Sequence, residues 1–236
     1  MRYRIEDVMV AVPTRGTLNW NHVRFMYRLL AENPRLNTPE MEAAGLSVCH
    51  PRNVLAQKFL SSSAKVLFFI DDDVTPKPNV LDMLRHLNDY DIVGGPYPMV
   101  HPPVCDIPTP CAMRRSDETA FAPLPDIFTL TGVHPCDAIG TGCMMIRREV
   151  LEAPGVLPFR LGLDKRGIMR VTEDVLFCIN ARKAGFTVAA DFDQIPDHCH
   201  TVSLNTMHNA YLKRMVKAIK IAAVVPEDQP LPRLTA

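Results

Sequence analysis

The sequence contains no apolar run that approaches the length of about 18 residues needed for a membrane-spanning helix. Its first residues, MRYRIEDVMV, lack the pattern of a signal peptide. It has no excess charge either, since 26 lysines and arginines balance 26 aspartates and glutamates. A zero net charge argues against a protein that coats nucleic acid through bulk charge, but it leaves room for a local basic patch. We therefore expect a cytoplasmic protein with no membrane span.

Closely spaced cysteine pairs are also missing. The seven cysteines are an odd number, lie between Cys49 and Cys199, and form no CxxC motif. This distribution excludes a disulfide framework and favours reduced, buried thiols. A zinc site is the alternative interpretation, because His134 and Cys136 could join residues 198–200 (HCH) as ligands. The spacing matches no common zinc finger.

The sequence does contain the pattern of an α/β domain. Its 236 residues, 47% hydrophobic and 22% charged, suit a globular domain and exclude general disorder. Apolar runs at residues 8–12, 65–70 and 91–95 are typical of short buried strands, and helical patterns separate them. This alternation predicts an α/β protein with a doubly wound, mostly parallel sheet.

Five apolar residues share one face of the first predicted helix: Trp20, Val23, Met26, Tyr27 and Leu30. Because the apolar face of a surface helix faces the core, we expect these residues to pack on the sheet. Pro51 opens a second helix, since proline suits a first helical turn. Asn79 and Thr172 are placed to cap two later helices, the second of which ends at Gly185.

The domain organisation follows from composition. We expect one domain over residues 1–204, followed by an amphipathic helix and tail over 205–236. Residues 31–45 and 96–135 are predicted loops, and the second contains nine prolines. A stretch of that length without regular structure is usually functional or mobile. The C-terminal helix carries a basic stripe at Lys213, Lys217 and Lys220, which is either a solvated face or a contact for a phosphate-bearing partner.

Three consecutive aspartates, Asp71, Asp72 and Asp73, follow directly after the apolar run KVLFFI. Like charges so close together repel one another unless a positive group lies among them. The carboxyl end of a parallel strand is where α/β sheets bind ligands. If the strand period continues, Asp71 and Asp73 point the same way. Two convergent carboxylates make a hard oxygen site suited to Mg²⁺ or Mn²⁺.

Two further clusters could complete such a site. His198 and His200 follow the last predicted strand and share a face if the segment is extended. One of them could therefore meet the metal ion. Glu173 and Asp174 begin a helix, where the helix dipole favours acids in any case. In a pocket, a carboxylate at that position could instead accept a proton from a substrate hydroxyl.

Together these segments resemble the glycosyltransferases of GT-A fold, particularly those of family 2. The resemblance covers most of residues 8–202 and consists of an ordered series: VMVAVPTRG, Pro51-Arg52-Asn53, VLFFIDDDV, DIVGGPYP, AIGTGCMMIRREVLE, TEDVLFCINARKAGF and DHCHTV. These look like the first strand with its nucleotide-contacting loop, the Arg-Asn helix start, the DxD strand and the strand after its helix, the acceptor-side segment, the Glu-Asp helix and the late metal-binding histidine. The resemblance implies a three-layer, Rossmann-like GT-A fold around a mixed, mostly parallel sheet.

For this chain the resemblance implies a metal-dependent glycosyltransferase that uses a nucleotide-diphosphate sugar, UDP- or GDP-linked, with Mn²⁺ or Mg²⁺. The implied nucleotide-sugar contacts are Pro13, Thr14, Arg15, Arg52, Asn53, Asp71 and Asp72. The implied metal ligands are Asp71, Asp73 and His200, with His198 as the alternative histidine. Asp174, beside Glu173, would deprotonate the acceptor hydroxyl in an inverting reaction.

The acceptor stays open, because residues 96–135 match no family pattern and lie where acceptor specificity is set. It could be a saccharide, a protein, a small molecule or a modified nucleic-acid base. The sequence shows no anchor or second domain, so we do not expect a lipid-linked or processive enzyme. A nucleotidyltransferase would also use an acidic pair and a metal, although PTRGTLNW is a poor phosphate loop. A catalytically inactive GT-A-like binding module is the third possibility.

Overall fold

Seven strands form one mixed sheet at the centre of the structure, a computed structural model that describes residues 2–43, 47–101, 105–116, 120–153 and 159–199. The strands of these ranges are β1 (Val8–Thr14), β2 (Glu40–Ala43), β3 (Val66–Ile70), β4 (Val74–Thr75), β5 (Ile92–Gly94), β6 (Pro98–His101), β7 (Cys105–Pro110), β8 (Ala112–Arg115), β9 (Phe121–Pro123), β10 (Val133–Cys136), β11 (Ala138–Ile139), β12 (Cys143–Arg147), β13 (Gly162–Leu163), β14 (Met169–Val171), β15 (Val188–Asp191) and β16 (Asp197–His198). The α-helices are α1 (Trp20–Glu32), α2 (Cys49–Leu60), α3 (Arg148–Glu152) and α4 (Glu173–Lys183), and the 3-10 helices are Ile5–Asp7, Val80–Asn88 and Phe192–Gln194.

The central sheet has the strand order β10-β15-β5-β12-β3-β1-β2. Five strands run in one direction, and β12 and β10 run against them. β12 lies between β3 and β5 and pairs antiparallel with both. The predicted α/β class and mixed, mostly parallel sheet are confirmed. The carboxyl ends of β1, β3 and β5 and the start of β12 therefore meet at one edge of the sheet.

Strands β1 and β3 are buried along their whole length. Every residue of β1 and β3 is buried, including Phe68 and Phe69 in the middle of the sheet. Their register pairs Val8 with Val66 and Ala11 with Phe69. Strands without a solvated face need continuous apolar runs, because both sides of the sheet are covered. The runs that predicted strands at residues 8–12 and 65–70 reflect this burial.

The predicted inner face of α1 is correct only in part, since Met26 and Leu30 are partly buried against the core and the other three predicted residues are exposed. The buried residues of this helix are His22, Phe25 and Leu29, whereas Trp20 is 71% and Tyr27 74% exposed. The ring nitrogen Nδ1 of His22 lies 3.0 Å from the carbonyl oxygen of Val74. A polar side chain therefore helps to anchor the helix. Both faces contain apolar residues, so helical spacing alone did not distinguish the inner face from the outer one.

Regular structure also appears where loops were predicted. β2 lies within residues 31–45 and pairs parallel with β1. Residues 96–135 contain two hairpin pairings, β6 with β7 and β8 with β9, and end in the edge strand β10. Short strands with prolines at their edges give a weak periodic signal, which explains why they were missed. Asn79 precedes a 3-10 helix and does not cap it with its side chain.

Other local predictions agree with the structure. Pro51 lies in the first turn of α2, and Gly185 follows α4 with a φ of 95°. The six cysteines whose side chains the structure describes are free, and four of them are buried. Within the described ranges, each helix is too short or too polar to cross a bilayer. The predicted boundary at residue 204 and the predicted helix of residues 205–236 lie outside the described residues.

Candidate active site

The three aspartates lie where β3 leaves the sheet. β3 ends at Ile70, and the chain turns at once, with the amide of Val74 donating to the carbonyl oxygen of Asp71. The amide of Asp71 also donates to the carbonyl oxygen of Gly142, which precedes β12. The turn ends the strand period, so consecutive aspartate side chains diverge to three different sets of partners.

The Asp71 side chain pairs with Arg52, whose Nη2 lies 2.9 and 3.1 Å from the two carboxylate oxygens. The other amino nitrogen of Arg52 donates to Glu173 at the start of α4. Arg52 is only 3% exposed. Burial disfavours its charge, but attraction to Asp71 and Glu173 outweighs burial and raises the pKa of Arg52. This buried cluster joins α2, β3 and α4 at the edge of the sheet.

Burial raises the pKa of Asp71, and Arg52 opposes the rise. The pKa of Glu173 is raised for the same reason, again against the effect of Arg52. A single arginine therefore supplies the positive charge that the aspartate cluster requires. Two carboxylates share it, so this site keeps an excess of negative charge that a cation or a hydrogen-bond donor would stabilise.

Asp72 is buried and holds the loop after β1. Its Oδ2 accepts hydrogen bonds from the hydroxyl of Thr14 at 2.7 Å and from the amide of Arg15 at 2.9 Å. The Thr14 hydroxyl accepts in turn from the amide of Gly16. The side chain of Arg15 is exposed. These bonds give Thr14 and Asp72 a structural task, the fixing of the loop beside the aspartates.

Asp73 faces His198, whose Nε2 lies 3.6 Å from the carboxylate Oδ2. Pairing of β16 with β4 sets His198 opposite Val74, and the amide of Cys199 donates to the carbonyl oxygen of Asp73. The other ring nitrogen of His198 lies 2.9 Å from the carbonyl oxygen of Pro98. Because a carbonyl only accepts, Nδ1 carries the proton of that bond.

The two side chains change each other's pKa. Burial raises the pKa of Asp73, but the contact with His198 outweighs burial and lowers it. Hydrogen bonding to Asp73 raises the pKa of His198 in turn. Nδ1 is bonded to a backbone carbonyl, and Nε2 faces the Asp73 carboxylate. A metal-binding histidine usually donates its second ring N–H to a carbonyl or carboxylate in this way.

The residues fit a divalent cation only in part. Asp73 is about one-third exposed at the edge of the sheet and offers carboxylate oxygen, while His198 offers imidazole nitrogen. Mn²⁺ accepts oxygen and nitrogen donors. Among the described residues, no group of three or more His, Cys, Asp or Glu side chains is arranged to hold a metal. Two protein ligands suit a cation whose remaining ligands are phosphate oxygens and water.

The sequence did not identify Tyr97 as a site residue. Its ring lies edge-on to His198, with centroids 5.0 Å apart. It also packs against Gly140 and Gly142, where an added Cβ would lie 2.3 Å from the Tyr97 hydroxyl and 2.8 Å from its ring. The buried ring thus supports the floor of the site. The GTG sequence was the available signal, because glycine often marks close approach.

The remaining predicted residues have distinct positions. Asp174 is half-buried and accepts a hydrogen bond from the Thr172 hydroxyl at 2.5 Å. Thr172 is the N-cap residue of α4, as predicted, but its side chain makes no capping hydrogen bond to the helix backbone. Asn53 donates to the carbonyl oxygen of Phe159 at 2.8 Å. Pro13 is buried within β1. His200 lies outside the described residues.

The pair proposed for zinc does not form part of this site. His134 and Cys136 lie on β10, at the opposite edge of the sheet from β2. The ring of His134 bonds to the carbonyl oxygen of Thr131. Burial raises the pKa of the Cys136 thiol well above its usual value. In the described part of the chain, this pair has no third ligand of the kind zinc requires.

Comparison with known proteins supports the fold. No family model and no curated protein matches the sequence. Among solved structures, protein A197 from STIV matches with a TM-score of 0.54 and 19% identity, over 82% of this chain and 86% of that chain. GalNAc-T7, a glycosyltransferase solved with UDP, GalNAc and Mn²⁺, matches with a TM-score of 0.52 and 12% identity, over 83% of this chain.

This chain covers 44% of GalNAc-T7, less than half of its length. At these identities the likenesses show a GT-A-like fold and nothing further. The inositol-1-phosphate CTP transferase from T. maritima matches with a TM-score of 0.47 and 8% identity, over 87% of this chain and 96% of that chain. That TM-score is too low to support an argument for a nucleotidyltransferase.

Proposed function

We propose that the protein transfers a sugar from a nucleotide-diphosphate sugar to a hydroxyl acceptor with the help of Mn²⁺ or Mg²⁺. The observation that carries the proposal is the approach of Asp73 to His198, which are distant in sequence and meet beside the Arg52 cluster. They meet at the edge of the sheet where α/β proteins bind ligands. GalNAc-T7, which has the same fold, was solved with UDP, GalNAc and Mn²⁺.

Asp73 and His198 would hold the cation. When bound, the cation would supply positive charge that stabilises the leaving diphosphate. The bond from His198 Nδ1 to Pro98 fixes the ring, so that Nε2 stays directed toward the Asp73 carboxylate. The Cys199 amide fixes the backbone of Asp73 at the same time. Because these bonds already hold Asp73 and His198 in place in the free protein, less conformational entropy is lost when the ligand binds.

Asp71 would bind the donor, with its charge compensated by Arg52. The Asp71 carboxylate is one-fifth exposed, so it can accept a hydrogen bond from a ribose hydroxyl of the donor. Arg15 has an exposed side chain on the loop that Asp72 anchors, and it is placed to meet a phosphate or the base. Thr14 and Asp72 hold that loop, whereas Asn53 positions the chain that leads to α4.

Asp174 would be the general base. The Thr172 hydroxyl and the amide of Val175 both donate to its Oδ1. Within the described residues, its Oδ2 has no hydrogen-bond partner and can take the acceptor proton. The acceptor oxygen would then bond to the anomeric carbon as the bond from that carbon to the diphosphate oxygen breaks. The nucleoside diphosphate would leave with the electron pair. Glu173 would act by fixing Arg52.

A thermal-shift panel of UDP, GDP, CDP and dTDP, each with and without Mn²⁺, tests the donor site. A nucleotide at about 100 times its Kd should stabilise the protein by about 2.7 kcal/mol. We expect one nucleotide to do so only with Mn²⁺, and Asp73→Asn to lose the effect. Asp82→Asn is the matched control, since Asp82 is exposed on the 3-10 helix Val80–Asn88. Stabilisation that persists in Asp73→Asn would contradict the metal assignment.

Product analysis separates the proposed reaction from its alternatives. A glycosyltransferase releases a nucleoside diphosphate from the sugar donor, whereas a nucleotidyltransferase releases pyrophosphate from a nucleoside triphosphate. Hydrolysis of the donor in the absence of acceptor is a sufficient assay. We expect Asp174→Asn to lower turnover at least about 100-fold, with metal-dependent nucleotide binding retained. Nucleotide binding without any turnover of any donor would indicate an inactive binding module.

A further inference from the structure

The outer face of α1 exposes aromatic side chains that the fold does not use. We define this face by Trp20, Arg24, Tyr27 and Arg28, which lie within about one quarter of the helix circumference at 100° per residue. Trp20 is 71% and Tyr27 74% exposed, and both arginines are exposed. Neighbouring apolar residues, Leu18 and Val23, are also exposed. Clustered exposed apolar surface on a monomer marks an interaction site.

Arg24 and Arg28 of this face have no carboxylate within 4.0 Å among the described residues, as is also true of Arg85 and Arg114 elsewhere in the fold. Other exposed arginines pair with acids, as Arg4 and Arg35 do with Glu6. Nor does Arg28 pair with Glu32 on the next turn, although a spacing of four residues would permit it. Their charge is therefore uncompensated and available to an anionic partner.

We propose that the outer face of α1 binds a single-stranded polynucleotide. The face is complementary to such a strand in charge and in its exposed ring surface. Bases stack on exposed aromatic rings in proteins that bind single strands, and arginines beside the rings contact the phosphates. Trp20 and Tyr27 are about 10 Å apart along the helix axis, with Arg24 between them. This alternation of ring and cation matches the alternation of base and phosphate.

A bilayer fits this face less well. A helix that lies in a membrane interface needs an uninterrupted apolar side, whereas Arg24 lies between the two aromatic residues. Beside the arginines, a groove of about 610 Å³ runs along α1 and contains Lys77 on its opposite wall. Glu32 and Asp197 also line this groove. Arg24, Arg28 and Lys77 outnumber these two acidic residues, as an anionic strand requires.

The face begins at the edge of the candidate active site. The amide of Asn19, directly before α1, donates to the carbonyl oxygen of Asp72 at 3.2 Å. His22, on the inner side of the same turn, contacts the backbone of β4. A strand bound along α1 would therefore lead toward the aspartates. Strand binding does not depend on the proposed transferase activity, but the identification of the strand as the acceptor rests on it.

The single tryptophan of the chain provides the test. Trp20 fluorescence is followed while the full chain is titrated with a single-stranded oligothymidylate of about 12 nucleotides at low salt. Stacking on Trp20 is expected to quench its emission. If Arg24 and Arg28 contact phosphates, a plot of log K against log salt should have a slope of about −1.4. No quenching at low salt would overturn the proposal.

Three variants test whether oligonucleotide binding depends on this face of α1. Tyr27→Ala should weaken binding about tenfold through the loss of one stacked base, and Arg24→Gln should reduce the salt slope by about 0.7. Arg4→Gln is the control, because Arg4 is also exposed and lies outside this face. Equal weakening by Arg4→Gln and Arg24→Gln would show attraction by general charge and overturn the proposal.

Two further measurements distinguish other partners. Quenching or a blue shift of Trp20 with phosphatidylglycerol vesicles, but not with the oligonucleotide, would show a membrane surface and overturn the proposal. The proposal would also be overturned if sedimentation showed that the protein is a dimer and that the Tyr27→Ala variant is a monomer. Asp73→Asn should bind the oligonucleotide normally, so a failed donor assay and a failed strand-binding assay remain separate results.

Discussion

Arg52 shows how one residue can hold the site together. Its charge is buried between Asp71 and Glu173, and removal of one partner from such a cluster leaves uncompensated buried charge. We expect Arg52→Met to lower the free energy of unfolding by about 3–5 kcal/mol. Urea denaturation measures this loss. Arg182→Met is the control, because Arg182 is 45% exposed where it pairs with Asp137, and exposed pairs contribute about 1 kcal/mol or less. Equal losses in the two variants would contradict the structural importance of the buried cluster.

The element scale is illustrated by Asp7, which links the starts of β1 and β3. Its carboxylate accepts from the Arg4 amide at 2.9 Å and lies 2.9 Å from Nζ of Lys65. The Lys65 amide also donates to the Asp7 carbonyl oxygen. Burial raises the pKa of Asp7, but the bonds from Lys65 and Arg4 outweigh burial and lower it. The ionised form is therefore favoured in the folded protein.

The sign of the pH dependence follows from that lowered pKa. Asp7 contributes stability above its unfolded pKa of about 4, and this stability is lost as pH falls through the lower folded value. We expect Asp7→Asn to reduce stability by about 1 kcal/mol at pH 7, with no difference from wild type well below pH 4. Urea denaturation at several pH values measures this. A difference that persists at the lowest pH would show that charge is not responsible.

At the scale of the whole molecule, the cysteines report on the core. Cys111, Cys136, Cys143 and Cys178 are buried, whereas Cys49 and Cys199 are only partly buried. Burial raises the pKa of the Cys143 and Cys178 thiols to about 12. At pH 8 such a thiol is ionised in about one molecule in 10,000, so it reacts slowly even where a reagent can reach it.

Among the six cysteines whose side chains the structure describes, we therefore expect alkylation of the native protein to modify Cys49 and Cys199 first. The four buried thiols should react only after denaturant is added, because global unfolding has to expose them. Peptide mass spectrometry after timed labelling identifies each site. Rapid native labelling of Cys143, which lies on the central strand β12, would contradict the packing of the sheet.

Much of the fold could be predicted from local sequence. Continuous apolar runs identified β1, β3 and β5, since strands buried on both faces admit few polar residues. The aspartates could be placed at a strand end because KVLFFI stops at Asp71. Gly185 could be predicted to end α4 because glycine is favoured directly after a helix, and its φ of 95° agrees with that prediction. Each of these features depends on residues that are neighbours in sequence.

Other features depended on contacts between distant segments. The insertion of antiparallel β12 between β3 and β5, the outward position of Trp20 and Tyr27, and the floor made by Tyr97 could not be predicted from periodicity. Nor could the sequence show that Glu173, rather than Asp174, pairs with Arg52, or that β16 sets His198 against Asp73. Neighbouring residues determined the buried strands β1, β3 and β5 and the end of α4. The partners of the side chains were decided by strand register and by the burial of one helix face instead of another, because these arise only when the whole chain packs.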